Sequence, residues 1–416
     1  MFERFFRFFK ELDGRVKVVI ASTGIQNWGQ RLSEQYSQLY AQDLGADAVE
    51  LGFLSSIAAA VGSIASIPTG WAAEKYTVKK VMLFGFACLA ISATIFALVG
   101  NWWMLIPAFI LGQRLFRIMA LTDIIFISVM SPQQRATVMG LSRVVWGVLN
   151  VFAPMTAALI VTNFGGINTQ GIRPLYYIQL ILTMTGFLFV AWKLQPLPIH
   201  IDKKTNAGSM RSLIEDFKEL FKGEKWLKRW IALRTVRQFG MNLAMPFVSL
   251  WMVNVKGATP YILGMMGTVS TIMSLVLQIP AGRLADKVGR KKVFYILRPI
   301  SYLGTILLIL APSPGYLILV GLLGAIAVRG GGGISGSSNT VFVTMLWELV
   351  PAEKRGRWYG IDGLMNLAVI PASILGGILW AQGFRIEVLL IPIFLEALVA
   401  LPILTTIPDT LDRSKQ

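Results

Sequence analysis

The sequence predicts an all-α membrane protein, with twelve transmembrane helices in two pseudo-symmetric bundles of six. Three observations carry that prediction. Apolar residues make up 55% of the 416-residue chain and charged residues only 15%, against about 25% charged in an average soluble domain, and the mean hydropathy is +0.62. Apolar runs of about 20 residues recur along the length, each enough to carry a helix across roughly 30 Å of hydrocarbon. The chain also repeats itself. IASIPTGWAAEKYTVKKVM at 64–82 matches SLVLQIPAGRLADKVGRKKVF at 274–294, and SPQQRATVMG at 131–140 matches VPAEKRGRWYG at 350–360. Two copies of one six-span unit facing the same way imply parallel halves, with a binding site between them near the midplane.

The elements follow in order. Residues 1–15 read as a cytoplasmic amphipathic segment on the membrane surface, with Arg4, Arg7 and Lys10 toward the headgroups. Glu3, Glu11 and Asp13 among its aromatics argue against a cleaved signal peptide. The first bundle, 16–194, places spans near 16–41, 50–73, 79–99, 103–130, 136–163 and 174–194. A cytoplasmic linker, 195–228, holds Leu213, Phe217, Leu220 and Phe221 at helical spacing between Met210 and Lys222. The second bundle, 229–408, places spans near 229–254, 260–283, 291–312, 315–349, 356–381 and 386–408, before a cytoplasmic tail at 409–416.

A net charge of +17 raises the question of nucleic acid. Most of the lysines and arginines, however, fall in the amino end, the loops after even-numbered spans, the linker and the tail. The opposite loops hold only Arg173, Lys256 and Arg385. This asymmetry puts both termini in the cytoplasm of a multi-pass protein of the cell (inner) membrane. The basic loops face an anionic leaflet, and no nucleic-acid partner is called for. One cysteine, Cys88, and one histidine, His200, leave no disulfide framework and no metal cluster. No phosphate-binding GxxxxGK[ST] stretch and no nucleophile–base set occur, so an ATP-driven pump and an enzyme are both disfavoured, and no cofactor is expected.

The stretch Gly282-Arg-Leu-Ala-Asp-Lys-Val-Gly-Arg-Lys-Lys292 fits the loop signature GxLaDrxGRkxx of the major facilitator superfamily. The first-half copy, from Gly70 to Lys80, is looser: Glu74 stands for the usual Asp, Thr77 for the second Gly and Val78 for the Arg. With the span count and the duplication, the whole chain resembles a prokaryotic-type secondary transporter of that superfamily. The resemblance implies a conformational latch at Gly70, Glu74, Gly282, Asp286, Gly289 and Arg290. Gly282 would allow close helix approach and Gly289 a tight turn, while Asp286 would meet a neighbouring helix N-terminus or an arginine. In span 4, Arg114 fits the family's RxxQG while Arg117 replaces its glutamine. In span 5, Ala153-Pro154-Met-Thr-Ala157-Ala158 resembles the GPxxGG of proton-driven exporters, with alanine for each glycine.

Away from the span ends, the bases inside the spans are all arginine: Arg31, Arg114, Arg117, Arg143, Arg234, Arg237, Arg298 and Arg329. They outnumber the acids Glu34, Asp123, Asp362 and Glu396. An arginine at mid-bilayer costs roughly 2.5–3.5 kcal/mol even on a lenient scale, so such residues should face a cavity or a partner. The guanidinium fork also suits carboxylate or phosphate. Arg31 and Glu34, three apart, are placed to pair, whereas the RxxR pairs of spans 4 and 7 need something anionic nearby. In the superfamily, spans 1, 4, 7 and 10 line the central path. The expectation is therefore a cationic substrate cradle of Arg31, Arg114, Arg117, Arg237 and Arg329, with Gln30, Trp28 and Tyr36 beside it. Glu34 is the first choice for proton coupling, then Asp123 and Asp362. Arg143 and Arg234 are expected to snorkel, and Arg298 and Glu396 to play a structural role at the periphery. In span 10, Gly330, Gly331, Gly332 and Gly333 predict a helix break, since each glycine costs about 1 kcal/mol in a helix. Ser337 or Ser338 is a candidate cap for the half-helix that follows.

The reading that results is a secondary active transporter working by alternating access. Its partners are a small anionic solute, a proton or other coupling ion and the lipid bilayer, and a monomer is expected. A proton-driven exporter of drugs or other amphipathic compounds is the alternative, favoured by the second-half loop signature and Arg114 and disfavoured by the arginine surplus. A non-transporting sensor on the same fold is a third reading.

Overall fold

Several spans in the computed structural model start or stop on recognisable local chemistry. The structure describes residues 12–112, 118–195, 225–326, 332–349 and 366–408. The amino-terminal segment, most of the linker, the tail, and the predicted site residues Arg114, Arg117, Arg329, Gly330, Gly331 and Asp362 lie outside them. So do the side chains at Gly70 and Glu74.

Span 1 begins where the Asp13 carboxylate accepts the Arg15 backbone N–H at 2.8 Å. It runs Gly14–Glu34, then through a turn into Ser37–Asp43. Span 2, Ala48–Lys75, opens on a reciprocal cap: Asp47 N–H donates to Glu50 at 2.8 Å and Glu50 N–H to Asp47 at 2.7 Å. Spans 3, 5 and 6 are Val78–Leu98, Pro132–Asn163 and Thr169–Lys193, and span 4 contains Leu105–Gly112 and Ile118–Val129. Proline opens span 5, where its missing N–H costs nothing.

In the second half, span 7 is Lys225–Ala244, extended by short helical turns and the π-helical Trp251–Val255. Span 8, Pro260–Val288, runs beyond its expected end and stops at Gly289, whose φ of 102° favours glycine. The same glycine precedes span 9, Arg290–Leu310. Span 10 comes in two pieces, Leu317–Leu323 and Gly333–Leu349. Span 11 includes Ile370–Ala381, and span 12 runs from Arg385–Phe394 through a π-helical Leu395–Ala400 to Leu401–Thr405.

Small residues set the packing, because lipid supplies no hydrophobic drive between helices. A Cβ on Gly24 would lie 3.0 Å from the Trp146 ring of span 5, and one on Gly29 would lie 3.1 Å from Leu182 of span 6. Trp146 Nε1 donates to Ile20 O at 2.9 Å, fixing spans 1 and 5 together. Span 7 packs on spans 11 and 12, and span 8 on spans 9 and 10. The halves meet where span 2 lies on span 11 and span 5 on span 8.

The buried apolar side chains divide by depth. Toward the ends of the spans away from the termini, one continuous cluster crosses both halves, from Leu32, Tyr40 and Phe96 to Phe247, Trp251 and Trp380. Toward the termini the clusters are separate. One lies in the first half around Val16, Phe86 and Phe126, and others in the second half around Trp230, Phe294 and Leu404 and around Ala285 and Val293. Among the described residues, the two bundles therefore share one buried cluster at one end and keep separate clusters at the other.

Candidate functional site: the path between the halves and a buried arginine cluster

The end with the shared cluster is sealed by uncharged contacts. Gln35 Nε2 donates to Leu263 O at 3.1 Å, and Ser249 Oγ donates to Gln35 O at 3.2 Å, tying span 1 to spans 7 and 8. Asn254 Nδ2 donates to Gln42 Oε1 at 3.0 Å, and Ser56 Oγ to Ile370 O at 2.6 Å. Backbone meets backbone at glycine: a Cβ on Gly52 would fall 2.3 Å from Ser373 O, and one on Gly377 would fall 2.5 Å from Ala48 O. Pro154 and Ala158 of span 5 pack on Gly264 and Gly267 of span 8. Sequence inspection singled out the small residues of span 5 but missed the glycines that receive them.

Behind this seal lies a polar stripe on span 1. Asn27, Arg31, Glu34 and Gln38 follow one another at four, three and four residues, the spacing of one helix face. Gln38 Nε2 reaches Ser55 Oγ of span 2 at 3.1 Å, and Gln35, one turn beyond Arg31, reaches the opposite half. The stripe therefore faces the space between the halves. Arg31 Nη1 donates to Glu34 Oε2 at 3.0 Å, and the two side chains are 47% and 23% exposed. A half-exposed ion pair at this depth is tolerable only against water. Gln30, half-buried, accepts from Gln26 Nε2 at 3.3 Å. Trp28 is half-buried and packs against the cluster that joins the halves.

Tyr36 corrects an expectation. It points to the opposite face of span 1 with Leu32 and Ser33 and is fully buried. Ser33 Oγ donates to Gln179 of span 6 at 2.5 Å, and the Tyr36 hydroxyl has no hydrogen-bond partner. Tyr36 belongs to the packing of the first half, not to the path.

Arg237 also departs from its expected place. It is 7% exposed, its Nε lies 3.3 Å from Glu396 Oε1, and its guanidinium lies over the rings of Phe342 at 4.1 Å and Phe294 at 5.1 Å. Glu396, 1% exposed, accepts two hydrogen bonds from the fork of Arg298 (Nε to Oε1 and Nη2 to Oε2). Arg298, 3% exposed, also donates to Ser301 Oγ at 3.3 Å. Arg298 and Glu396 are thus at the heart of the second bundle rather than at its edge, joining spans 7, 9 and 12. The sequence carries no local signal for this cluster, since residues 237, 298 and 396 lie far apart in the chain.

Other residues fall as follows. Asp286 of span 8 pairs with Arg290 of span 9 at 3.2 Å, across the Gly289 turn, and the Asp286 side chain is 65% exposed. Gly282 has nothing within 4 Å of where a Cβ would stand among the described residues, so it shows no close helix approach there. Gly289 makes the tight turn expected of it. Asp123 is half-buried, Arg234 half-buried and Arg143 exposed. Among the described residues, span 10 is broken: one helix ends at Leu323, before Gly324 with φ 78°, and another begins at Gly333 with φ 67°. The break starts earlier than the glycine run that predicted it. Neither Ser337 nor Ser338 caps the second piece, since both lie inside it. Ser338 Oγ donates to Ser335 O at 2.7 Å, and Ser337 Oγ is buried without a partner.

The family model of the Major Facilitator Superfamily matches residues 35–236 and 230–415. A 149-residue stretch is 26% identical to an uncharacterised transporter of Buchnera aphidicola subsp. Schizaphis graminum (strain Sg). That match covers 36% of this chain and 36% of that protein, so the chain spans about a third of the length of the curated relatives it matches. Among solved structures, the nucleoside transporter NupG aligns with a TM-score of 0.70 at 15% identity, over 95% of this chain and 99% of that one. A D-xylose–proton symporter aligns with 0.69 at 14% identity, over 95% and 98%. At these identities the likeness is one of fold. The chain belongs to the Major Facilitator Superfamily, a family of membrane transport proteins and not of enzymes.

Proposed function

We propose that this member of the Major Facilitator Superfamily is a secondary transporter that carries a small anionic solute by alternating access, coupled to protons through Glu34. The observation that carries the reading is the Arg31–Glu34 pair, partly exposed on span 1 beside the contacts that join the two halves. A carboxylate or phosphate ester competes with Glu34 for the Arg31 fork. A proton on Glu34 releases that fork, so solute and proton favour each other's binding. Arg114, Arg117 and Arg329, on the spans that line the path in this superfamily, supply the further positive charge the reading needs.

A second reading is favoured by one observation. The described pair neutralises itself, and its neighbours on span 1 are amides (Gln26, Asn27, Gln30) that suit a neutral, hydroxyl-rich solute. Thermal-shift screening of the purified protein separates the two, since a ligand stabilises the state it binds. Stabilisation by a carboxylate or phosphate compound, lost in Arg31→Gln, is the expected result. Stabilisation by sugars or nucleosides alone would replace the anion with a neutral solute, and stabilisation by cationic amphipathic drugs alone would restore the exporter. Proteoliposomes with an entrapped pH dye then test coupling. Glu34→Gln should abolish solute-driven proton movement and keep solute exchange.

A further inference from the structure

The internal repeat sets a second helix opposite the polar stripe of span 1. Trp28-Gly29 and Leu32 recur on span 7 as Phe239-Gly240 and Leu243, and the structure keeps that register. A Cβ on Gly29 would lie 3.1 Å from Leu182 of span 6, and one on Gly240 would lie 3.0 Å from Pro392 of span 12. Tyr40 Oη donates to Phe96 O of span 3 at 2.8 Å, and Trp251 Nε1 donates to Leu308 O of span 9 at 3.0 Å. In this register Asn27, Arg31, Glu34 and Gln38 correspond to Gln238, Asn242, Met245 and Ser249. The four residues of span 7 are all half-buried and share one face, opposite the buried Gly240, Leu243, Phe247 and Leu250. That face looks at the other half, since Ser249 Oγ donates to Gln35 O at 3.2 Å. Charge separates the two stripes: span 1 carries an ion pair, span 7 two amides, a thioether and a hydroxyl. Asn242 Nδ2 donates to Gln238 O of its own helix at 2.8 Å. One amide hydrogen is thus spent within the helix, and Oδ1 is the atom offered to a ligand.

We propose that the solute is a hydroxylated organic acid, its carboxylate held by Arg31 on span 1 and its hydroxyl groups by Asn242 and Gln238 on span 7. These two amides are then specificity-determining residues. The inference rests on the anion reading and narrows it. An inorganic anion would set another acceptor against Asn242 Oδ1, whereas a hydroxyl donates to Asn242 and accepts from Gln238 in turn. A plain aliphatic acid would strand both amides, and a site built to bond a hydroxyl rejects the analogue that lacks it. A neutral sugar would leave unused the fork that a proton on Glu34 releases. Met245, between Asn242 and the seal, gives the carbon skeleton an adaptable apolar contact.

Two measurements test it. With purified full-length protein, glycerate and gluconate are titrated in a thermal-shift assay against propionate and hexanoate, the acids of equal carbon number without hydroxyls. The hydroxylated acids should reach half-saturation at about ten-fold lower concentration, the size of effect expected when one hydrogen bond is left unmade. Asn242→Leu should erase that preference. Equal affinity for the two kinds of acid, a preference that survives Asn242→Leu, or binding of none of the four overturns the proposal. If plain acids or inorganic phosphate bind through Arg31 as well as the hydroxylated acids do, the anion reading stands and this proposal alone falls. If glycerol or glucose stabilises the protein and no acid does, both fall. The second measurement needs no ligand. In a Cys88→Ser background, which removes the one native cysteine, a short bismaleimide should join Arg31→Cys to Asn242→Cys. It should fail to join Tyr36→Cys to Phe247→Cys, both on buried faces. Absence of the first cross-link means that the stripes do not face each other, and the proposal falls even if the protein transports anions.

Discussion

Two arginine–carboxylate sites in this protein solve one problem in opposite ways. Arg31 and Glu34 sit on one helix, three residues apart, and remain partly exposed. Arg237, Arg298 and Glu396 come from three helices and are almost completely removed from solvent. The first keeps its hydration and gains little from pairing. The second has given up its hydration and depends on geometry, the fork of Arg298 and the rings beside Arg237 compensating for lost water. Counted in the sequence, these arginines look alike. Their surroundings separate a site that can exchange partners from one that cannot.

The sharpest way to break the contrast is Glu396→Leu. Two guanidiniums are then left in the second bundle without a carboxylate, and we expect a loss of about 3–5 kcal/mol, read as a collapse of thermal stability in detergent. Replacing Arg237, Arg298 and Glu396 together by apolar residues should restore most of it, as removing a whole buried cluster is often close to neutral. Next comes Gly333→Ala, at the start of the second piece of span 10. Its φ of 67° costs an L-residue roughly 1–2 kcal/mol, and the new Cβ would fall 2.5 Å from Leu322 O. Thermal unfolding should show at least that loss.

By contrast, Glu34→Gln should cost no more than about 1 kcal/mol in the same assay, because the pair is exposed, while solute-driven proton movement disappears. An equal loss of stability in Glu34→Gln and Glu396→Leu would erase the distinction. The smallest effect calibrates the scale at Asp13, the residue that caps the start of span 1. The hydrogen bond from Arg15 holds the Asp13 carboxyl below its ordinary 3.8, against the upward pull of partial burial. A carboxyl lowered on folding stabilises fully above its unfolded value and loses that contribution as pH falls through the lowered one. Asp13→Asn should therefore reduce only slightly the stability lost on acidification below pH about 4.

Much of the fold was legible because the bilayer enforces it: length, hydropathy and the internal repeat gave the spans, and Gly289 gave its turn. A break in span 10 was expected from the energetic cost of consecutive glycines, but the end of its first piece at Gly324 was not, since a single glycine at φ 78° leaves no pattern. The pairing of Arg31 with Glu34 could be read from spacing within one helix. The placement of Arg237 could not. Residues 237, 298 and 396 lie far apart in the chain, and the helix rotations that bring them together depend on close approaches such as Gly240 on Pro392, where a Cβ would stand 3.0 Å from backbone. Tyr36 was misjudged for a related reason: a two-residue offset on a helix reverses the face.

The lopsided closure of the two halves has an electrical consequence. On the proposed reading, water that reaches Arg31 and Glu34 from the other end brings the potential of that compartment up to the pair, so the membrane voltage falls across the layer formed by Gln35, Gly52, Gly264 and their partners. A unit charge carried through that layer does work of about 2.3 kcal/mol per 100 mV. On the proposed reading, the Arg31–Glu34 pair by itself carries no net charge and is indifferent to the field, whereas a proton on Glu34 adds one positive charge and would make opening of the seal voltage-sensitive.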